Sequence, residues 1–129
     1  TGDRPAAISD ARQAVHLQPN SAITAHQLAT LLAREKEYEE AIEYFNRAIK
    51  LAPSNPLYLR NRGVSHVNMK SNELAIDDFN MAISQAPEQA VLYRLRAIAH
   101  ARLGNKEQAA ADQATYKTLQ ADTDKPEPQ

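Results

Sequence analysis

The chain has 129 residues, 43% of them hydrophobic, and its 15 Lys and Arg nearly balance its 16 Asp and Glu, for a net charge of −1. One domain's worth of chain with 5% aromatics, no Trp and no Cys must build its core from Ala, Leu, Ile and Val, small residues that suit closely packed helices. The neutral balance argues against the phosphate attraction that dominates nucleic-acid binding, the missing cysteine excludes disulfides and thiolate chemistry, and no apolar run nears the ~20 residues of a membrane-inserting helix.

Residues 1–5 read as an N-terminal extension, and the opening Thr1-Gly2-Asp3, with neither Met nor an apolar signal segment, predicts a processed or excised chain. Residues 6–21 carry one helix near 6–16. Within it, Ala7-Ile8-Ser9-Asp10 starts a pattern that returns at Ala41-Ile42-Glu43-Tyr44, Ala75-Ile76-Asp77-Asp78 and Ala109-Ala110-Ala111-Asp112, each 34 residues on. A period of that length marks a repeat array of helix pairs, so residues 6–21 read as a half unit, a second helix without its first.

Residues 22–55 form the first full unit, with helices near 22–35 and 39–51. Leu28, Leu31 and Leu32, then Ala41, Ile42, Phe45, Ala48 and Ile49, fall at helical spacing. Residues 56–89 form the second, with helices near 56–69 and 73–85. Asn55-Pro56 supplies its cap and first helical residue, and Phe79-Asn80-x-Ala82-Ile83 repeats Phe45-Asn46-x-Ala48-Ile49. Residues 90–121 form the third, with helices near 90–103 and 107–120 joined at Gly104-Asn105. Its pattern decays, since Gln113, Tyr116 and Ala121 stand where Phe, Ala and Pro stood before, as in a helix that caps an array. Residues 122–129, with two prolines, read as a flexible tail.

Chemistry of the catalytic kind finds little support. Gly2, Gly63 and Gly104 are too scattered to cradle a phosphate, and no nucleophile triad or metalloprotease spacing appears. The reading is a non-enzyme without cofactor or metal. His66 and His100 share the eleventh place of their units and are read as packing residues rather than zinc ligands. Arg62 and Arg96 share the seventh place, where the first unit has Leu28. Sixteen residues on, Asp78 and Asp112 accompany the arginines whereas Tyr44 accompanies Leu28, so Arg62–Asp78 and Arg96–Asp112 are expected to be ion pairs between the helices of one unit.

The chain resembles the tetratricopeptide repeat family, whose unit is also 34 residues. Small residues hold the eighth place (Ala29, Gly63, Ala97) and the twentieth (Ala41, Ala75, Ala109). In two units an aromatic holds the twenty-fourth (Phe45, Phe79), alanine the twenty-seventh (Ala48, Ala82) and proline the thirty-second (Pro53, Pro87). The small places are expected to be buried. The resemblance implies an all-α fold, a right-handed superhelix or α-solenoid of antiparallel helix pairs, whose first helices line a concave peptide-binding groove.

On that face stand Ile23, His26, Gln27, Thr30 and Arg34 of the first unit, Leu57, Arg60, Asn61, Val64 and Asn68 of the second, and Val91, Arg94, Leu95, Ile98 and Arg102 of the third. Four arginines and no acid lie along it, so the expected partner is a protein or peptide segment with acidic side chains. One subclass of the family clamps the C-terminal carboxylate of heat-shock chaperones with Lys and Asn on one first helix, Asn on the next, and Lys with Arg on the third. Only Asn61 matches; His26, Thr30, Val91 and Leu95 hold the other places, which disfavours chaperone tails. The alternatives are self-assembly through Tyr116 or the unpaired half unit, and an accessory domain of a larger protein. The expected state is a monomer or a weak self-associate.

Overall fold

The computed structural model describes residues 3–128, so the expected Thr1-Gly2 opening lies outside the described residues. Seven helices follow one another: α1 (Arg4–Leu17), α2 (Ala22–Arg34), α3 (Tyr38–Leu51), α4 (Pro56–Asn68), α5 (Asn72–Gln85), α6 (Ala90–Arg102) and α7 (Lys106–Thr123). Each packs on the next in the chain, α2 also touches α4, and α4 touches α6, the pattern of an all-α helical repeat solenoid.

Local chemistry sets the helix ends. Ser21 Oγ accepts from Thr24 N at 3.2 Å and Asn55 Oδ1 from Leu57 N at 3.0 Å, while Pro56 needs no partner for the N–H it lacks. The turn inside each unit needs one left-handed residue, which Lys36 (φ 63°), Lys70 (φ 63°) and Gly104 (φ 81°) supply at matching places. That geometry lets the next amide reach back to a carbonyl of the preceding helix, as Ser71 N does to His66 O at 2.8 Å.

Both chain ends differ from expectation. Helix α1 begins at Arg4, inside the expected extension, because Pro5 in its first turn fits a helix start. Helix α7 runs to Thr123, past the start of the expected tail at 122, since no glycine or proline interrupts it before Pro126.

The core is a row of contacts between helices. Leu28, Ala29 and Leu32 of α2 meet Ala41 and Phe45 of α3, and Val67 of α4 meets Ala75 and Phe79 of α5. Close approach requires Gly63, because a Cβ there would lie 2.6 Å from Phe79 Cε1. Ala48 and Ala82, both fully buried, admit the following first helix, Ala48 beside Tyr58 and Ala82 beside Leu92. Of the small places, Ala109 is the exception: it is only half-buried, as is Tyr116, because among the described residues no helix covers the far side of α7.

Candidate functional site

First helices that touch in sequence bring equivalent places together. Thr30 and Arg34 of α2 join Asn61, Val64 and Asn68 of α4 around one cleft of about 210 Å³, with Phe45 in its wall and no acidic side chain. Beside it, Asn61 Nδ2 donates to His26 Nε2 at 2.8 Å, which leaves the imidazole neutral with its proton on Nδ1. Burial holds this histidine below its ordinary pKa, and the positive charge of Arg60 adds to the effect. The ring lies 4.7 Å from Tyr58 and 5.8 Å from Phe45, centroid to centroid. Arg60 Nε donates to Asn61 Oδ1 at 3.4 Å, and Thr30 Oγ1 donates to the His26 carbonyl at 2.9 Å. One polar chain, Arg60 to Asn61 to His26, thus crosses from α4 to α2.

The remaining residues of the expected face are placed differently. Gln27 lies with His26 and Thr30 in a second cleft, against α1. The Arg94 guanidinium sits 5.8 Å from the centre of the Tyr116 ring on α7. Arg102 Nη1 donates at 3.2 Å to the Val67 carbonyl in the last turn of α4, which also accepts from Lys70 N at 3.0 Å. Ile98 is exposed. Of the four arginines, only Arg34 lines the 210 Å³ cleft; Arg60 braces Asn61 from beside it.

The covarying pairs are forks. Arg62 Nε and Nη2 donate to Asp78 at 2.9 and 2.6 Å, and Arg96 Nε and Nη2 donate to Asp112 at 2.8 and 2.7 Å. Nη1 of each arginine reaches back to the preceding second helix, to Asn46 at 2.9 Å and to Asn80 at 2.8 Å. These asparagines were not among the expected site residues, although their recurrence in Phe45-Asn46 and Phe79-Asn80, just before the arginine-bearing units, carried the signal. His66 lies over the first fork, with Nε2 3.8 Å from Asp78 Oδ2. Burial pulls its pKa down, Asp78 opposes this and Arg62 reinforces it. His100 Nδ1 accepts from Asn105 Nδ2 at 3.2 Å. Among the described residues no three His, Cys, Asp or Glu gather as metal ligands, and no helix is long and apolar enough to cross a membrane.

The family model for the tetratricopeptide repeat matches residues 22–55. These residues are a tetratricopeptide repeat. Solved structures share the fold of the whole array. One of MamA is 21% identical, covers 95% of this chain and 71% of its own, and superposes with a TM-score of 0.90. MamA from Desulfovibrio magneticus RS-1 is 18% identical, with coverage of 96% and 70% and a TM-score of 0.90. The first such domain of Spaghetti (RPAP3), bound to the HSP90 peptide SRMEEVD, is 23% identical, with coverage of 76% and 78% and a TM-score of 0.74. A comparison with the sequences of curated proteins gives no match.

Proposed function

We propose that this chain is a non-catalytic interaction module whose first-helix face holds an extended or helical segment of a partner protein carrying acidic side chains. In this reading residues 22–55, 56–89 and 90–121 are three units of one binding surface and 6–21 a half unit. The observation that carries it is the cleft that gathers Arg34, Asn61, Asn68 and Thr30 around Val64 without an acid. Guanidinium and amide donors suit carboxylates, and the apolar floor suits an aliphatic anchor. The peptide SRMEEVD seated on the similar RPAP3 domain has three acidic residues, which supports the charge preference. Chaperone tails as such are disfavoured, because the clamp places other than Asn61 hold His26, Thr30, Val91 and Leu95.

A short array holding a peptide binds near micromolar, about −8 kcal/mol. The test is fluorescence anisotropy with labelled peptides that share aliphatic anchors and differ in carrying Glu or Lys between them. The Glu peptide should bind at least about tenfold tighter at low salt, and reversing Arg34 and Arg60 to Glu should remove both the preference and its salt dependence. Equal binding by the folded double variant and the parent would refute the proposal. Self-assembly is the competing reading, and light scattering separates it: the module alone should be a monomer.

A further inference from the structure

Successive helices of the array run in opposite directions, so every junction between units falls on one long edge and every turn inside a unit on the other. At a junction a short corner joins the last residue of a second helix to the start of the next first helix. Leu17 ends α1 and Ile23 is the second residue of α2; Leu51 and Leu57 hold the same places at the next junction, and Val91 follows Gln85 at the third. These five belong to the eight large apolar side chains that stand exposed among the described residues, each of the five between 37% and 69% open to solvent. None of them lines either cleft described above.

Charge divides between the two edges in the same sense. Residues 47–60 carry Arg47, Lys50 and Arg60 and no acid, and residues 81–94 carry Arg94 against Glu88. None of these four cations is ion-paired among the described residues. Helices α3, α5 and α7 start on the other edge with an acid in the first turn, whereas α2, α4 and α6 start on the junction edge with none. The positive ends of the first-helix dipoles therefore add to the cations there.

Single exposed aliphatics among unpaired cations fit a partner that is anionic and soft enough to take each side chain without a matching pocket. We infer that the junction edge rests on an anionic lipid surface. Leu51, Leu57 and Val91 enter the boundary between headgroups and acyl chains, and Arg47, Lys50, Arg60 and Arg94 meet the lipid phosphates. Units stacked on either end of an array lengthen this edge without covering it, because each contacts its neighbours, so the inference rests on the two junctions inside residues 47–94. The edge shares Leu57, Arg60, Val91 and Arg94 with the rim of the first-helix face. Arg47, Lys50 and Leu51 lie outside that face, and the test is placed on them.

The whole chain is sedimented with vesicles of phosphatidylcholine, either plain or containing about 30% phosphatidylserine. It should bind the anionic vesicles and not the plain ones. Arg47→Glu with Lys50→Glu should weaken that binding at least about tenfold and leave binding of the Glu peptide unchanged, with circular dichroism confirming the fold. Because the chain has no Trp, Leu51→Trp supplies a single reporter, whose emission should shift to the blue on anionic vesicles and be quenched by brominated lipid. Leu74→Trp, exposed in the first turn of α5 on the opposite edge, should do neither. Arg34→Glu, at the end of α2 on that opposite edge, should weaken the Glu peptide and bind vesicles like the parent, which separates failure of this inference from failure of the peptide reading. The inference is overturned if the chain binds neither vesicle or both alike, if the double reversal changes nothing or also removes peptide binding, or if the reporter at position 51 behaves like that at position 74.

Discussion

Breaking the Arg62–Asp78 fork from either side should cost unequal amounts. The Asp78 side chain is 4% exposed and that of Arg62 21%. Arg62→Leu strands a buried carboxylate whose nearest cation source is His66 at 3.8 Å, and the loss of one partner of a dry pair costs about 3–5 kcal/mol. Asp78→Ala strands a guanidinium that keeps Asn46 at 2.9 Å and reaches water along its open edge, so its cost falls nearer about 1–3 kcal/mol. In the double variant no charge remains to be stranded, so it should be no less stable than Arg62→Leu alone. Replacing the pair with leucine and tyrosine, as at Leu28 and Tyr44, should recover most of the loss. Urea unfolding followed by circular dichroism, with slopes compared across the cycle, measures all of these. A coupling energy below about 0.5 kcal/mol, or Asp78→Ala costing more than Arg62→Leu, would refute the reasoning.

Gly63→Ala should destabilise by about 1–2 kcal/mol, overpacking against Phe79 outweighing the gain in helix propensity; in a Phe79→Leu background the same change should be neutral or stabilising. Lys70→Gly should stabilise the fold by about 0.5–1 kcal/mol, read as a higher urea midpoint, because Lys70 holds a left-handed φ of 63°. His26 and His66 both have pKa values lowered on folding, by burial first. Their contribution is therefore complete above the unfolded value of about 6.5 and is lost as pH falls below it. Melting temperature should drop between pH 7.5 and 5.5, and a His26→Gln, His66→Gln variant should show a flatter profile over that range.

The helices were legible because the 34-residue period, the alanine places and the breakers all mark the same boundaries. The ion pairs could be anticipated because each joins two side chains that change together between units, Leu28 with Tyr44 but Arg62 with Asp78. Contacts without such a double record stayed hidden. The Arg102 bond ends on a backbone carbonyl, which leaves no side-chain trace, and Arg94 leans on Tyr116, a ring that no further first helix covers among the described residues. The bond from Asn61 to His26 depends on how closely α2 approaches α4, a distance set by Tyr58 and Phe45 packing rather than by either polar residue.

Each forked arginine spans three helices rather than two. Asn46, Arg62 and Asp78 join α3, α4 and α5, and Asn80, Arg96 and Asp112 join α5, α6 and α7, so α5 is held by both. No one of these five helices can leave without breaking a shared link, which makes them a single cooperative block. Ahead of them stands Leu28, and α1 is tied down by the exposed pairs Arg4–Glu35 and Arg12–Glu40 and by its apolar contact with α2. Amide exchange in α1 and α2 should accordingly report a local opening that precedes and is independent of global unfolding. Among the described helices, α3 to α7 thus form one linked body, and α1 and α2 lie outside its forks.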